Sequence, residues 1–132
     1  MSAEGAVQAA VLAVLRGDVT LSAGLNGVFE GPPIKATPPY AELGEMLSGD
    51  WSVKDRDGRE LRLAVMLRDV AETSARVQGL AGAAGIAIEA LPRELGDWRV
   101  VSVALVRTRL LRPAPGRWTL MVEYRVRVLA AG

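Results

Sequence analysis

The sequence predicts an α+β domain: an antiparallel sheet of about four or five strands with two main helices packed on one face. Three observations predict it. Apolar residues recur at helical spacing in Val7, Val11 and Leu15. They alternate strictly with polar ones from Glu60 to Arg68. They alternate again in two long runs on either side of Pro113-Ala114-Pro115-Gly116. The 132 residues suffice for one real core and are short for two, so a single domain, residues 1–132, is expected.

Taken in order, Ala6 to Arg16 is an amphipathic helix, with Ser2 as N-cap and Gly17 as its stop. Asp18 caps a second short helical turn through Leu21 and Leu25, which Asn26-Gly27 ends because both residues tolerate positive φ. Val28 to Glu30 starts a short strand. Pro32, Pro33, Pro38 and Pro39 then hold Gly31 to Pro39 as a stiff, extended loop. Tyr40 to Leu47 and Glu60 to Arg68 are paired strands. In the second, Leu61, Leu63, Val65 and Leu67 point one way, and Arg62, Ala64, Met66 and Arg68 the other. Between them, the polar stretch Ser48 to Gly58 is expected to project as a long hairpin tip.

Asp69 and Glu72 have the spacing of a capping box, so a helix is expected to begin there. Its apolar stripe is Val70, Val77, Leu80, Ala81, Ala84, Ile88 and Leu91, and Pro92 closes it. Gly79, Gly82 and Gly85 cost about 1 kcal/mol each against alanine, which close packing of the helix backbone on the sheet would explain. The last third is a hairpin of Trp98 to Leu110 with Trp118 to Leu129. A three-residue turn, Ala114-Pro115-Gly116, would set Leu110 opposite Leu120, Thr108 opposite Val122, Val106 opposite Tyr124 and Ala104 opposite Val126 on the buried face. The other face would then pair Arg109 with Met121, Arg107 with Glu123, Leu105 with Arg125 and Val103 with Arg127. A slip of one residue would lose the Arg107–Glu123 pairing.

Composition narrows function by exclusion. Sixteen basic and fifteen acidic residues give a net charge of +1, so no global attraction to nucleic acid or anionic membranes exists. The chain has no histidine and no cysteine. That removes the commonest general base, the commonest transition-metal ligand, thiolate chemistry and disulfides together. No apolar run approaches the ~20 residues that span a bilayer, and the amino terminus lacks the basic start of a signal peptide. A soluble protein made in the cytoplasm is expected.

The remaining motifs are weak. Asp55-Arg56-Asp57-Gly58 begins like a calcium loop but lacks the later oxygen ligands, so it reads as a turn. Gly79, Gly82 and Gly85 sit inside a helical pattern, away from the strand-to-helix junction that phosphate loops require. Glu42 with Glu45, or Asp50 with Asp55, are the only candidate acid–base pairs, and they read as solvated loop or strand carboxylates. No catalytic, cofactor or metal residues are assigned.

The better signal lies on the sheet. Arg62, Arg68, Arg107, Arg109, Arg125 and Arg127 interleave with Met66, Met121, Val103 and Leu105 on the face away from the helices. A solvated sheet face explains alternating charge. A protein interface explains the mixture of arginine and methionine better, because both are enriched there. Trp51 at the hairpin tip, with Arg56 and Arg59 at its rim and Glu123 beside Arg107, completes a candidate subunit or tube interface. A small nucleic-acid-binding module using the same arginines is the rival reading. It would want aromatic residues on that face, whereas Trp98, Trp118 and Tyr124 fall on the other.

The order of elements, and in particular Pro39-Tyr40 with Leu43-Gly44, Asp50-Trp51-Ser52 before a glycine turn, the strand GRELRLAVMLR, the helix VAETSARVQGLA and the ending WTLMVEYRVRVL, resembles the tail-completion (tail-terminator) proteins of long-tailed phages, prophages and gene transfer agents. The chain departs from that pattern at Asp69-Val70, where an aromatic residue and a serine are expected. The resemblance implies a structural virion protein. Such a protein caps the tail tube as a ring, usually a hexamer, ends tail elongation and forms the head–tail joining surface. Its partners would be further copies of itself, the major tail tube protein and the head–tail connector protein. DNA would be only passing cargo, with no membrane, cofactor or metal involved. It would reside in the bacterial cytoplasm during assembly and then at the head-proximal tail end of the particle.

Overall fold

The computed structural model describes Met1–Gly132 as three helices and one six-stranded sheet. Helix α1 spans Ala3–Gly17, and the Ser2 hydroxyl accepts from the Gly5 N–H at 3.0 Å. Asp18 then caps α2, Val19–Gly24, accepting from the Leu21 N–H at 3.0 Å. The strands are β1 (Val28–Phe29), β2 (Tyr40–Asp50), β3 (Gly58–Val70), β4 (Glu94–Leu95), β5 (Trp98–Ala114) and β6 (Arg117–Ala130), with α3 at Ala75–Glu89. Their order in the sheet is β1-β2-β3-β6-β5-β4. β1 runs parallel to β2, and every other pairing is antiparallel.

The α+β class therefore stands, with six strands in place of four or five and three helices in place of two. The short strand expected from Val28 is there as β1, and the unexpected one is β4, a two-residue piece at the opposite margin, too short to leave any alternation in the sequence. The three helices share one core with a single face of the sheet. Val7, Val11 and Leu15 of α1, Val77 and Ile88 of α3, and Leu61, Val65, Val126 and Val128 of the sheet are all wholly buried within it. Each such side chain contributes about 1.5–3 kcal/mol by leaving water.

Several local expectations change. Asp69 begins no helix. It is the penultimate residue of β3, and α3 starts at Ala75, after Ser74, which makes no side-chain cap. The Asp69 carboxylate is buried and occupied elsewhere: Arg76 Nε donates to Oδ2 at 2.9 Å and Nη2 to Oδ1 at 2.6 Å, and the Val70 N–H adds a third bond at 2.8 Å. This bidentate grip joins the end of β3 to the first turn of α3, and it raises the Arg76 pKa through the hydrogen bond to Asp69. Val70, expected in the apolar stripe, is exposed. Of the three helix glycines, only Gly85 is tight, since a Cβ there would lie 2.9 Å from the Tyr124 hydroxyl. Gly79 and Gly82 face open space.

The β5–β6 turn has two residues, with Ala114 opposite Arg117 and Gly116 at φ 71°, the left-handed value that suits glycine after proline. The expected register holds from Arg107 to Leu111, so Arg107 does face Glu123 and Leu110 does face Leu120. Outside that stretch it breaks three times: next to the turn between Leu111 and Ala114, and on the far side between Leu105 and Arg107 and between Val100 and Ser102. Each bulge flips the alternation. Leu105 therefore opposes Tyr124, and Val103 opposes Val126, on the helix face. Ala104 and Ser102 replace them opposite Arg125 and Arg127.

Candidate functional site: the open face of the sheet

The face away from the helices is built mainly by alternate residues of β3 and β6, with contributions from β2 and β5. Arg62, Met66 and Arg68 of β3 stand opposite Arg125, Met121 and Thr119 of β6. Arg107 and Arg109 of β5 stand opposite Glu123 and Met121. Glu42 of β2 stands opposite Met66. Ten of the twelve interface candidates thus group by strand geometry, and nine of these ten lie on the open face.

Trp51, at the sheet margin, joins them through Arg127, whose guanidinium lies 5.3 Å from the centre of the Trp51 ring. The hairpin tip is shorter than expected: residues 52–57 are exposed, while Trp51 and Gly58 at its base are held against the sheet. The Trp51 N–H donates to the Gly58 carbonyl, the Ser52 hydroxyl accepts from the Gly58 N–H, and the Asp57 carbonyl accepts from Ala130 at the end of β6. Gly58 makes that fit possible, since a Cβ there would sit 2.4 Å from the Trp51 carbonyl oxygen and 2.8 Å from Leu129 Cδ2. Arg56 is exposed in the turn. Arg59 leaves the group: it turns to the helix side, donating to the Ser48 hydroxyl at 3.0 Å and lying 3.8 Å from Glu4 of α1.

Three carboxylates on the open face hold half of its arginines: Glu123, expected there, and Glu42 and Glu60, which are not among the site residues expected from the sequence. Arg68 pairs with the buried Glu42 and also donates to Thr119 at 3.1 Å. Arg127 donates to Glu60 at 2.8 Å, and Arg107 meets Glu123 at 3.0 Å. The Arg127 hydrogen bond holds the Glu60 carboxyl below its ordinary range despite the opposing effect of burial, with the nearby charges of Arg125 and Arg62 adding to the shift. Glu42 was weighed in the sequence as half of an acid–base pair with Glu45. Its pairing with Arg68 accounts for it, and Glu45 is exposed. Asp50 accepts from the Ser52 hydroxyl.

Arg62, Arg109 and Arg125 have no acidic partner. Arg62 and Arg125 are directly opposed, an arrangement that costs stability in an isolated sheet. The Nε of Arg125 is also buried without an acceptor, and one oxygen of Glu42 is buried without a donor. A surface of paired and spare guanidiniums around two methionines can grip planar carboxylates or bury apolar side chains. Its three carboxylates are each engaged by an arginine. No helix is long and apolar enough to cross a membrane.

A family model described as "Tail completion protein gp17" matches residues 9–129. The chain belongs to that family. Among solved structures, a chain from the virion of a native gene transfer agent particle superposes with a TM-score of 0.86 at 26% identity, covering 98% of both chains. The gp17 protein of bacteriophage SPP1 has the same fold, with a TM-score of 0.62 at 21% identity, covering 98% of this chain and 91% of that one. No curated protein sequence matches. A tail completion protein is a structural part of a virion or gene transfer agent particle and not an enzyme.

Proposed function

We propose that copies of this chain close into a ring on the head-proximal end of the tail tube, where the ring stops elongation and offers the surface that joins the head. The observation that carries the reading is the strand order. It leaves two unlike margins, β2 on one side and β5 on the other, each covered for only two residues by a short strand. Unlike margins on one subunit favour a head-to-tail contact, and such contacts close into rings when the rotation allows. Six copies is the closure that the family resemblance implies.

In this reading the open face, with Arg62, Arg109 and Arg125 unpaired and Met66 and Met121 between them, meets a neighbour, the major tail tube protein or the head–tail connector. Trp51 under Arg127 and exposed Arg56 extend that surface to the sheet's end. DNA passes through the ring as cargo. The face offers little for a nucleic-acid-binding module to stack on: Tyr124 is buried in the core, the Trp118 indole N–H is bound to the Ala71 carbonyl, and Trp51 at the margin is covered by Arg127.

Electron microscopy of particles carrying a tagged chain is the test. The tag is expected as a ring at the head–tail joint, and deletion of the gene is expected to give unjoined heads with tails of irregular length. Normal joined tails without the chain would overturn the reading.

A further inference from the structure

Two features lie on opposite margins of the sheet, and each is incomplete by itself. At the β5 margin, a groove of about 340 Å³ runs between α3 and the strand, lined by Gly82, Gly85, Ile86, Leu105 and Tyr124, with Glu89 at its edge. Its apolar walls are wet: Ile86 is 71% and Leu105 51% exposed. The groove exists because α3 carries glycine at Gly82 and Gly85, where larger side chains would fill it, and because the bulge after Leu105 turns that residue to the helix side. Tyr124 forms part of its floor, with its hydroxyl 3.4 Å from Glu89 Oε1.

At the β2 margin, the proline-rich arm between β1 and β2 carries Ile34 at 107% exposure, beside exposed Lys35. The arm is held at both ends. Arg16 donates twice to the Val28 carbonyl, Gln8 bonds Glu30, and Asn26 Nδ2 donates to the Thr37 and Pro38 carbonyls at 3.1 Å each. Prolines on either side limit its freedom further. A stiff arm that ends in a bare isoleucine has little entropy left to lose when that residue finds cover.

We infer that Ile34 of one copy seats in the groove between α3 and β5 of the next copy, with the Lys35 ammonium meeting the Glu89 carboxylate. The inference rests on the ring reading and deepens it by naming the contact between neighbours. Apolar meets apolar, cation meets anion, and plug and socket occupy the two margins that a head-to-tail ring brings together.

The chain has no cysteine, so introduced thiols give an unambiguous readout. The variant Ile34→Cys/Ile86→Cys, altered only at exposed positions, is assembled into particles, oxidised and run on non-reducing gels. A ladder of covalent oligomers climbing to the full ring is expected, while each single variant gives no ladder. Incorporation at tail ends without a ladder would overturn the docking and leave the ring intact. Dimers formed by Ile34→Cys alone would also overturn it, by showing that arm meets arm. Absence of the wild-type chain from tail ends would overturn the ring and the docking together. Charge reversal gives an independent readout: Lys35→Glu should lower incorporation at least about tenfold, and adding Glu89→Lys should restore it. Failure of the double reversal to restore incorporation would count against the pairing.

Discussion

The two faces of the central strands share the same backbone and differ in everything that follows from their side chains. On β3 and β6, Leu61, Leu63, Val65, Leu67, Leu120, Val122, Tyr124, Val126 and Val128 are at most 5% exposed under the helices. Their opposite-facing neighbours, from Arg62 to Arg68 and from Met121 to Arg127, have no helix over them, yet all are half-buried. They cover one another through crossed ion pairs and the long stems of arginine and methionine. The comparison separates two kinds of order. One face is sealed by packing that would be lost with any methylene, and the other is arranged but left able to accept a partner.

Four substitutions test how far that contrast goes. The largest effect is expected from Leu61→Ala, which empties a wholly buried site and should cost about 2–5 kcal/mol in urea unfolding. Arg76→Ala comes next. It strips the buried Asp69 carboxylate of two donors and leaves it the Val70 N–H, and should lower stability measurably in the same experiment. Trp51→Ala should cost about 1–2 kcal/mol, since it removes a half-buried ring and its contact with Arg127. A loss as large as that for Leu61 would mean the open face is a second core, and the contrast would collapse.

The smallest effect concerns pH. The folded Glu60 carboxyl is held below its ordinary value of 4.5, so its share of stability is fully present above that value and fades as pH falls through the lower folded one. Glu60→Gln should therefore be slightly less stable than the parent at neutral pH and converge with it in acid. Chemical unfolding of both proteins from neutral pH to well below 4.5 tests this. Parallel curves would mean that the Glu60–Arg127 bridge contributes nothing to stability.

The sequence was most legible where alternation is unbroken. The faces of β3 and β6, the α1 helix with its Ser2 cap, and the arginine-bearing surface all followed from period and residue type. It failed at β5 for a specific reason. Val100-Val101 and Leu105-Val106 are apolar neighbours at the bulges, so the switch of face leaves no trace in the pattern. Asp69 misled because the spacing of a capping box also occurs by chance, while its partner Arg76 is identified only once β3 and α3 are placed together. Trp51 looked exposed because its neighbours in sequence are polar. What covers it, Arg127 and the close approach at Gly58, comes from the far end of the chain or from backbone shape. The open-face carboxylates Glu42 and Glu60 were visible as acids, but not as the partners of Arg68 and Arg127.

The three bulges of β5 also bear on unwanted strand pairing. A long strand with one bare side is a template on which any extended chain can grow, and a regular comb of N–H and C=O groups invites stacking into fibres. Each bulge removes a tooth from that comb and sharpens the local twist, so a flat strand cannot pair along the whole of β5. Arg99, Arg107, Arg109 and Arg112 on the same strand add charge against indiscriminate pairing. On these grounds β5 is a poor template for indiscriminate strand growth, although all but two residues of its outer side lie bare of a strand.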